Sequence, residues 1–431
     1  MRRVLLGRKS KPRNLGWLFV LRHGIYGIKN GGIFLWGKTA AVRNTLSTCK
    51  SINIVVTHVY GGGSSFYLNP LLKRASAEHP VMLVKPTFVP KWMQITIYAG
   101  YGNPVAFFAK GFDSLKGLQG IKAKITINGL EKWYQYDKSG KLSTLALERL
   151  VKEISEIKMS LDAEITYLVH DYYCLCPNFT LIAPNGLYCA SEQTLEHCKK
   201  CQAYWRKKSI TFGDGVEMTL WRAAFSKLFL QCSEVRTFSE DSCRRMAKCF
   251  PDVAFTKVPH SLPIDFPESP RLNSGDMVIG VFGKIQQYKG AEIVVDLANL
   301  LENDDSGARI VVVGELPGFE EQLPERLKVL GRYKHEDLPR IIEREGINIS
   351  LMPSVCPETF SYVVHESMAL GLPVACFGIG AQRDAVADYP KGSIIPEMTA
   401  IAAWQTLQRL FSSCRNRKGG NANEVESTSH R

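Results

Sequence analysis

The chain has 431 residues, of which 45% are apolar and 22% charged, with 54 Lys and Arg against 41 Asp and Glu. That length accommodates two domains with substantial cores, and the composition excludes a disordered or fibrous chain. The excess of +13 is confined to one end: residues 1–77 carry thirteen basic residues and no acid before Glu78, and the rest is close to neutral.

A basic arm (residues 1–50) in front of a balanced chain implies attraction to an anionic surface, membrane lipid or nucleic acid. A solvated, poorly ordered arm accounts for the same charges. Its lysines and arginines lack the interleaved aromatics of a base-stacking surface, so no nucleic-acid partner is expected. Gly16 to Leu21 is too short to span a bilayer, and no apolar run reaches about 18 residues. Arg8, Lys9, Lys11 and Arg13 break the apolar character a signal peptide needs. The expected location is cytoplasmic, peripheral to the inner face of a membrane if the arm meets lipid. Without a secretion signal, the twelve cysteines read as reduced thiols or metal ligands.

In chain order, Ile52 to Thr57 is a β-branched strand followed by Gly61, Gly62 and Gly63, with a helix opening near Ser64. The glycines serve either a tight turn or a close backbone approach to an acceptor or phosphate. They form no G-x-G-x-x-G fingerprint, which argues against NAD. Strand-like runs follow at Val81 to Val84, Ile95 to Tyr98, Val105 to Phe108 and Lys124 to Ile127. Leu142 to Met159 carries an apolar stripe at helical spacing. Ile165 to Val169 is a further strand, and His170 at its carboxyl end is placed to face a ligand crevice, although a lone histidine is more often structural. Cys176, Cys189, Cys198 and Cys201 follow within a Cys-rich insertion (174–201). Their thiolates could bind a structural zinc, though the spacing is irregular and free thiols fit it too.

Trp221 to Leu230 reads as a helix and Val235 to Phe238 as a strand, with Ser239 capping the helix Glu240 to Cys249. The proline-rich stretch after Phe255 marks an interdomain linker and a boundary near residues 260 to 275. The expected domains are therefore 51–262 and 276–412, with a disordered tail over 413–431. The second domain opens with a buried strand ending at Gly283, then Lys284-x4-Lys289. A helix (Glu292 to Leu301), a strand (Ala308 to Gly314), a short edge strand (Val329 to Tyr333) and a helix (Leu338 to Glu345) follow. Ile347 to Met352 and Pro373 to Phe377 are buried strands flanking a helix with Thr359 as its expected N-cap, and a final helix covers Ala400 to Phe411. Glu366 sits inside the apolar helix, and a buried carboxylate needs a pairing group or a ligand. The N–H groups near Thr359, Phe360 and Ser361 would suit a phosphate.

Glu358-x7-Glu366, set in P-S-x3-E-T-F-x5-E-x-M-A-x-G-x-P-V, resembles the donor site of the retaining GT-B glycosyltransferases (group 1, family 4-like). The resemblance is strong over 277–400 and weaker over 51–260. It implies an α/β chain of two Rossmann-like domains facing across a cleft, with a nucleotide-sugar donor (UDP-, GDP- or ADP-sugar) on the second. It also implies a glycan or lipid-linked acceptor, retention of anomeric configuration, and a role in cell-surface polysaccharide synthesis. In this family the first Glu and a His after the equivalent strand lie by the transferred sugar, which makes Glu358 and His170 the candidate catalytic pair. The second Glu binds the ribose, which falls to Glu366. Gly283, Lys284, Lys289, Thr359 and Phe360 complete the donor set, and Gly378 to Ala381 brings glycine backbone beside the donor. Family members usually have Arg where this chain has Lys284, so the bidentate fork is lost while the charge remains. No D-x-D motif follows a strand, so no cofactor is expected for catalysis. A sugar-nucleotide epimerase of the same fold and a non-catalytic nucleotide-sugar-binding member are the alternatives.

Overall fold

The computed structural model describes residues 50–57, 68, 72, 79–87, 92–98, 105–112, 115, 118, 120–130, 133, 143–190, 195–208, 216–258, 260, 262, 264–266, 269–272, 275–319 and 323–425. The basic arm up to residue 49, the Gly61, Gly62 and Gly63 turn, and the last six residues of the expected tail lie outside them. The described chain is α/β, and it divides into two compact units, Met1–Leu168 with Gln202–Val235, and Val169–Cys201 with Arg236–Arg431.

The first sheet runs β1 (Ser51–Val56), β2 (Val81–Pro86), β3 (Trp92–Tyr98), β4 (Val105–Lys110), β5 (Lys122–Ile127), β6 (Glu164–Leu168), β7 (Glu234–Thr237) and β8 (Phe255–Lys257). Its spatial order is β4-β3-β2-β1-β5-β6-β7-β8. β1 is flanked in parallel by β2 and β5, whereas β2, β3 and β4 pair antiparallel. The patterning explains the difference. Val81 to Val84 are buried without interruption, while β3 alternates buried Met93, Ile95 and Ile97 with half-exposed neighbours. Continuous burial suits a central strand covered on both faces; alternation suits an antiparallel strand with one wetter face. Helix α1 (Thr144–Leu161) starts where the Ser143 hydroxyl accepts from Ala146 N–H, and it buries Leu147, Leu150, Val151, Ile154 and Ile157 along one face. It packs on α3 (Met218–Phe229), whose Phe225 and Phe229 meet the Tyr167 ring of β6 edge-on. Between them in sequence lies α2 (Leu195–Lys208), a helix the sequence reading did not draw.

The second unit contains α4 (Glu240–Cys249), capped by Ser239 as expected, and a wholly parallel sheet. Its elements are β9 (Val278–Lys284), a 3-10 turn (Gln287–Lys289), α5 (Ala291–Glu302), β10 (Arg309–Glu315), β11 (Leu327–Val329), α6 (Leu338–Glu345), β12 (Ile349–Met352), α7 (Tyr362–Ala369), β13 (Val374–Phe377), α8 (Gly380–Ala387), β14 (Gly392–Ile395) and α9 (Ala400–Val425). The spatial order β11-β10-β9-β12-β13-β14 is the doubly wound order 3-2-1-4-5-6. Ile279 and Val281 of β9 pack with α5 and α9, while Val278 and Phe282 pack with Ile342 and Leu338 of α6. Both faces of the sheet are thus buried, as parallel strands require.

Several expectations shift. The compact units divide at residues 168/169, 201/202 and 235/236, and within the second unit His170, Asp241 and His260 make hydrogen bonds and ring contacts with Thr359, Asp384 and Phe360. The edge strand is the earlier and shorter β11. Helix α7 begins at Tyr362 with Ser361, not Thr359, as its N-cap; the Thr359 hydroxyl donates instead to the His170 carbonyl at 2.7 Å. Helix α9 continues past Arg415, where the tail was expected to be disordered; no proline interrupts it, and each added residue contributes one more backbone hydrogen bond. The α8 helix and β14 were not anticipated.

Leu297 lies on the buried face of α5 and is fully inaccessible. Leu297→Ala should lower unfolding free energy by about 2–5 kcal/mol. Denaturant titration checks it, and a loss under about 1 kcal/mol would contradict the described packing.

Candidate functional site

In a doubly wound sheet the ligand crevice opens where the strand order reverses, outside the carboxyl ends of the two strands that flank that point. Here those strands are β9 and β12. Gly283 closes β9 at φ +103 and exposed Lys284 ends it. The chain then turns through Gln287–Lys289 to Gly290, whose φ is +81 and where an added Cβ would overlap the Pro353 carbonyl. Only glycine permits that approach. The loop after β12 is seamed to this turn: Val355 N–H donates to the Tyr288 carbonyl at 3.2 Å, and the Ser354 hydroxyl bonds the Cys356 carbonyl at 3.2 Å.

The seam brings Lys289 to Glu358. Its ammonium lies 3.5 Å from a Glu358 carboxylate oxygen, with the two side chains 33% and 15% exposed. The Glu358 charge raises the Lys289 pKa, against the opposing pull of burial, so the lysine is held charged. Three residues on, Ser361 starts α7. Its side chain is fully buried and its hydroxyl has no hydrogen-bond partner among the described residues, beside the N–H groups of the first turn. The positive end of the helix dipole lies there.

Glu366 occupies the second turn of α7 and is 2% exposed. His335, just beyond β11, places Nδ1 2.6 Å from the Glu366 carboxylate. That contact raises the histidine's pKa. The Tyr333 hydroxyl is also pushed up, first by burial and then by the Glu366 charge.

His170 and Phe360 belong to a column of rings. His170 stacks on Phe238 at 4.7 Å, Phe238 meets His260 at 4.9 Å, His260 stacks on Phe360 at 3.9 Å, and Phe360 stacks on His365 at 4.1 Å. The Tyr362 hydroxyl lies 2.9 Å from His260 Nε2. Burial lowers the His365 pKa, which favours the neutral ring.

The structure thus gathers Gly283, Lys284, Lys289, Glu358, Thr359, Phe360, Glu366 and His170 within the second unit. Gly61, Gly62 and Gly63 are outside the described residues. Sequence reasoning missed His260, His335, His365 and Gln382, which belong to no periodic or spaced motif. Among the described residues Cys176, Cys189, Cys198 and Cys201 are joined in no disulfide. Cys176 is pushed up to about 12, mainly by burial and further by Cys189, Cys201 and Cys198.

The His335–Glu366 pair fixes a pH dependence. The folded pKa of His335 lies above its ordinary value of about 6.5, so the pair's contribution is complete below that pH and fades as pH rises through the folded value. The gap in melting temperature between the native chain and His335→Gln should therefore be widest near pH 6 and shrink toward pH 9. A gap that widens with pH would contradict the pairing.

Residues 264–422 match the model of the family described as glycosyl transferases group 1. The 2-deoxystreptamine glucosyltransferase of Streptomyces kanamyceticus is 29% identical over 134 residues, covering 29% of this chain and 33% of that protein. The 2-deoxystreptamine N-acetyl-D-glucosaminyltransferase of Streptomyces fradiae is 23% identical over 222 residues, 46% of this chain and 51% of that protein. The chain thus spans about a third to a half of the length of these relatives. Among solved structures, sucrose-phosphate synthase from Thermosynechococcus elongatus aligns over 88% of this chain and 100% of its own, with a TM-score of 0.52 at 13% identity, and shares the fold. The chain has the α/β GT-B fold, and residues 264–422, which carry Lys284, Lys289, Glu358 and Glu366, are similar to the glycosyl transferases group 1.

Proposed function

We propose that the protein transfers a sugar from a nucleotide-sugar donor to an acceptor hydroxyl with retention of configuration, and that the second unit binds the donor. One observation carries this reading: Lys289, Glu358, the first turn of α7 and Glu366 converge beside the reversal of strand order between β9 and β12.

In transfer, the bond between sugar C1 and the diphosphate oxygen breaks and a bond from C1 to the acceptor oxygen forms, the acceptor proton leaving with the products. Positive charge grows on the sugar ring and negative charge on the diphosphate. Lys289, Lys284 and the α7 N–H groups would offset the latter, with the Ser361 hydroxyl available as a further donor. Glu358 would face the sugar, with His170 as its partner across the ring. Glu366 would accept from the ribose hydroxyls, taking the place of its present bond to His335.

The acceptor under this reading is a glycan or a lipid-linked glycan at the inner face of a membrane, in polysaccharide synthesis. The support is the unbalanced basic charge of residues 1–77. No helix among the described residues is long and apolar enough to cross a membrane. The two curated relatives are named for a small aminocyclitol acceptor, and a soluble polyol is the competing acceptor class.

Titration of the purified chain with UDP, GDP and ADP tests the donor site. One nucleotide should bind, and Glu366→Ala or Lys289→Ala should weaken it about tenfold or more, as losing a charge-assisted bond of roughly 1.5–3 kcal/mol requires. Absence of binding at millimolar nucleotide would defeat the donor reading. Deleting residues 2–43 should lower binding to vesicles of anionic lipid and leave donor hydrolysis intact; unchanged vesicle binding would remove the membrane surface from the proposal.

A further inference from the structure

Gln382, in the first turn of α8, is fully buried. Burying a primary amide is unfavourable unless both of its ends are bonded. Here both are. Nε2 donates to the Cys356 carbonyl at 2.9 Å, and Oε1 accepts from the Glu358 N–H at 3.1 Å. One partner is an acceptor and the other a donor, so only this orientation of the amide satisfies the pair.

The neighbouring backbone completes the hold. Ala381 N–H donates to the Glu358 carbonyl at 2.9 Å. Gly380 stands at φ +67, and a Cβ there would come within 2.6 Å of the Glu358 nitrogen and 2.7 Å of Pro357 Cα. Both backbone polar groups of Glu358 are therefore bonded to residues 381 and 382, and the only side chain in this arrangement is the glutamine. Its carboxylate then leaves the loop in the direction that meets Lys289.

We infer that Gln382 is a positioning residue: its amide clamps the Cys356–Glu358 loop and thereby sets where the Glu358 carboxylate stands against Lys289 and the transferred sugar. The inference rests on the donor-site reading for its consequence in catalysis and on the structure alone for the clamp. It also gives the Gly378 to Ala381 stretch a different task from the one the family resemblance implies. Gly380 permits the approach of one loop to another and need not border the donor at all.

The chemistry at position 382 is narrow. Methionine has the length but neither bond. Glutamate keeps the acceptor but, ionised, sets a second acceptor against the Cys356 carbonyl. Protonated, it regains the donor and reproduces the glutamine.

Gln382→Met and Gln382→Glu in the full chain test this. In Gln382→Met, hydrogen–deuterium exchange of the peptide covering 354–361 should quicken about tenfold or more, with peptides of α5 and β10 unchanged. Its turnover of the nucleotide-sugar should fall about 10- to 100-fold, with affinity for the free nucleotide within about threefold of the native chain. The turnover of Gln382→Glu relative to native should recover as pH drops toward 5, while the Gln382→Met ratio stays flat. Unchanged exchange over 354–361 would overturn the clamp. So would turnover and nucleotide affinity falling together with faster exchange throughout the unit, which is the signature of a packing defect alone. A native chain that binds no nucleotide would sink the donor reading, and the exchange comparison would still decide the clamp.

Discussion

The backbone of the loop after β12 is held from two sides, and the rest of the candidate site depends on that. On one side, the absence of a Cβ at Gly290 lets the Pro353 carbonyl sit against the turn that carries Lys289. On the other, Gly380 lets α8 close onto Pro357 and Glu358. Neither approach survives a side chain, because each meets backbone atoms that have nowhere to move. Loops carry orphan N–H and C=O groups that must be bonded when buried, and this loop bonds them to Tyr288, Ala381 and Gln382 rather than to water.

With the loop held, the charges follow. Two carboxylates stand in an apolar helix and its approach, and burying either alone would be strongly unfavourable. Each is met by one cation: Glu358 by Lys289, Glu366 by His335. The two pairs differ in kind. Lysine stays charged across the physiological range, while histidine gives up its proton within it. On the proposed reading, the first pair keeps a fixed positive charge near the developing diphosphate anion. The second releases Glu366 more readily as pH rises, when ribose hydroxyls can take its bonds.

The ring column from His170 to His365 links parts of the chain far apart in sequence. Stacked imidazole and phenyl rings exclude water and fix one another's orientation. Thr359 adds a polar tie to the His170 carbonyl. Through these contacts the segment after β6 folds with the second sheet.

Much of this was legible in the residues. The uninterrupted apolar runs of β9, β10, β12 and β13, and the capped helices between them, announce a parallel sheet, because burial on both faces leaves a local signature in each strand. The Glu358-x7-Glu366 spacing, read with its neighbours, marks the helix that carries the site. What no local pattern encodes is which polar groups meet. Gln382 reaches Cys356 across 26 positions, and the strand order must first bring β12 and β13 side by side. The histidines behave likewise, for a single imidazole has no period and becomes meaningful only by what it touches. Hydrophobic patterning acts between near neighbours in sequence and so determines elements and their buried faces. Hydrogen bonds and ion pairs act between neighbours in space, and only the tertiary structure chooses those.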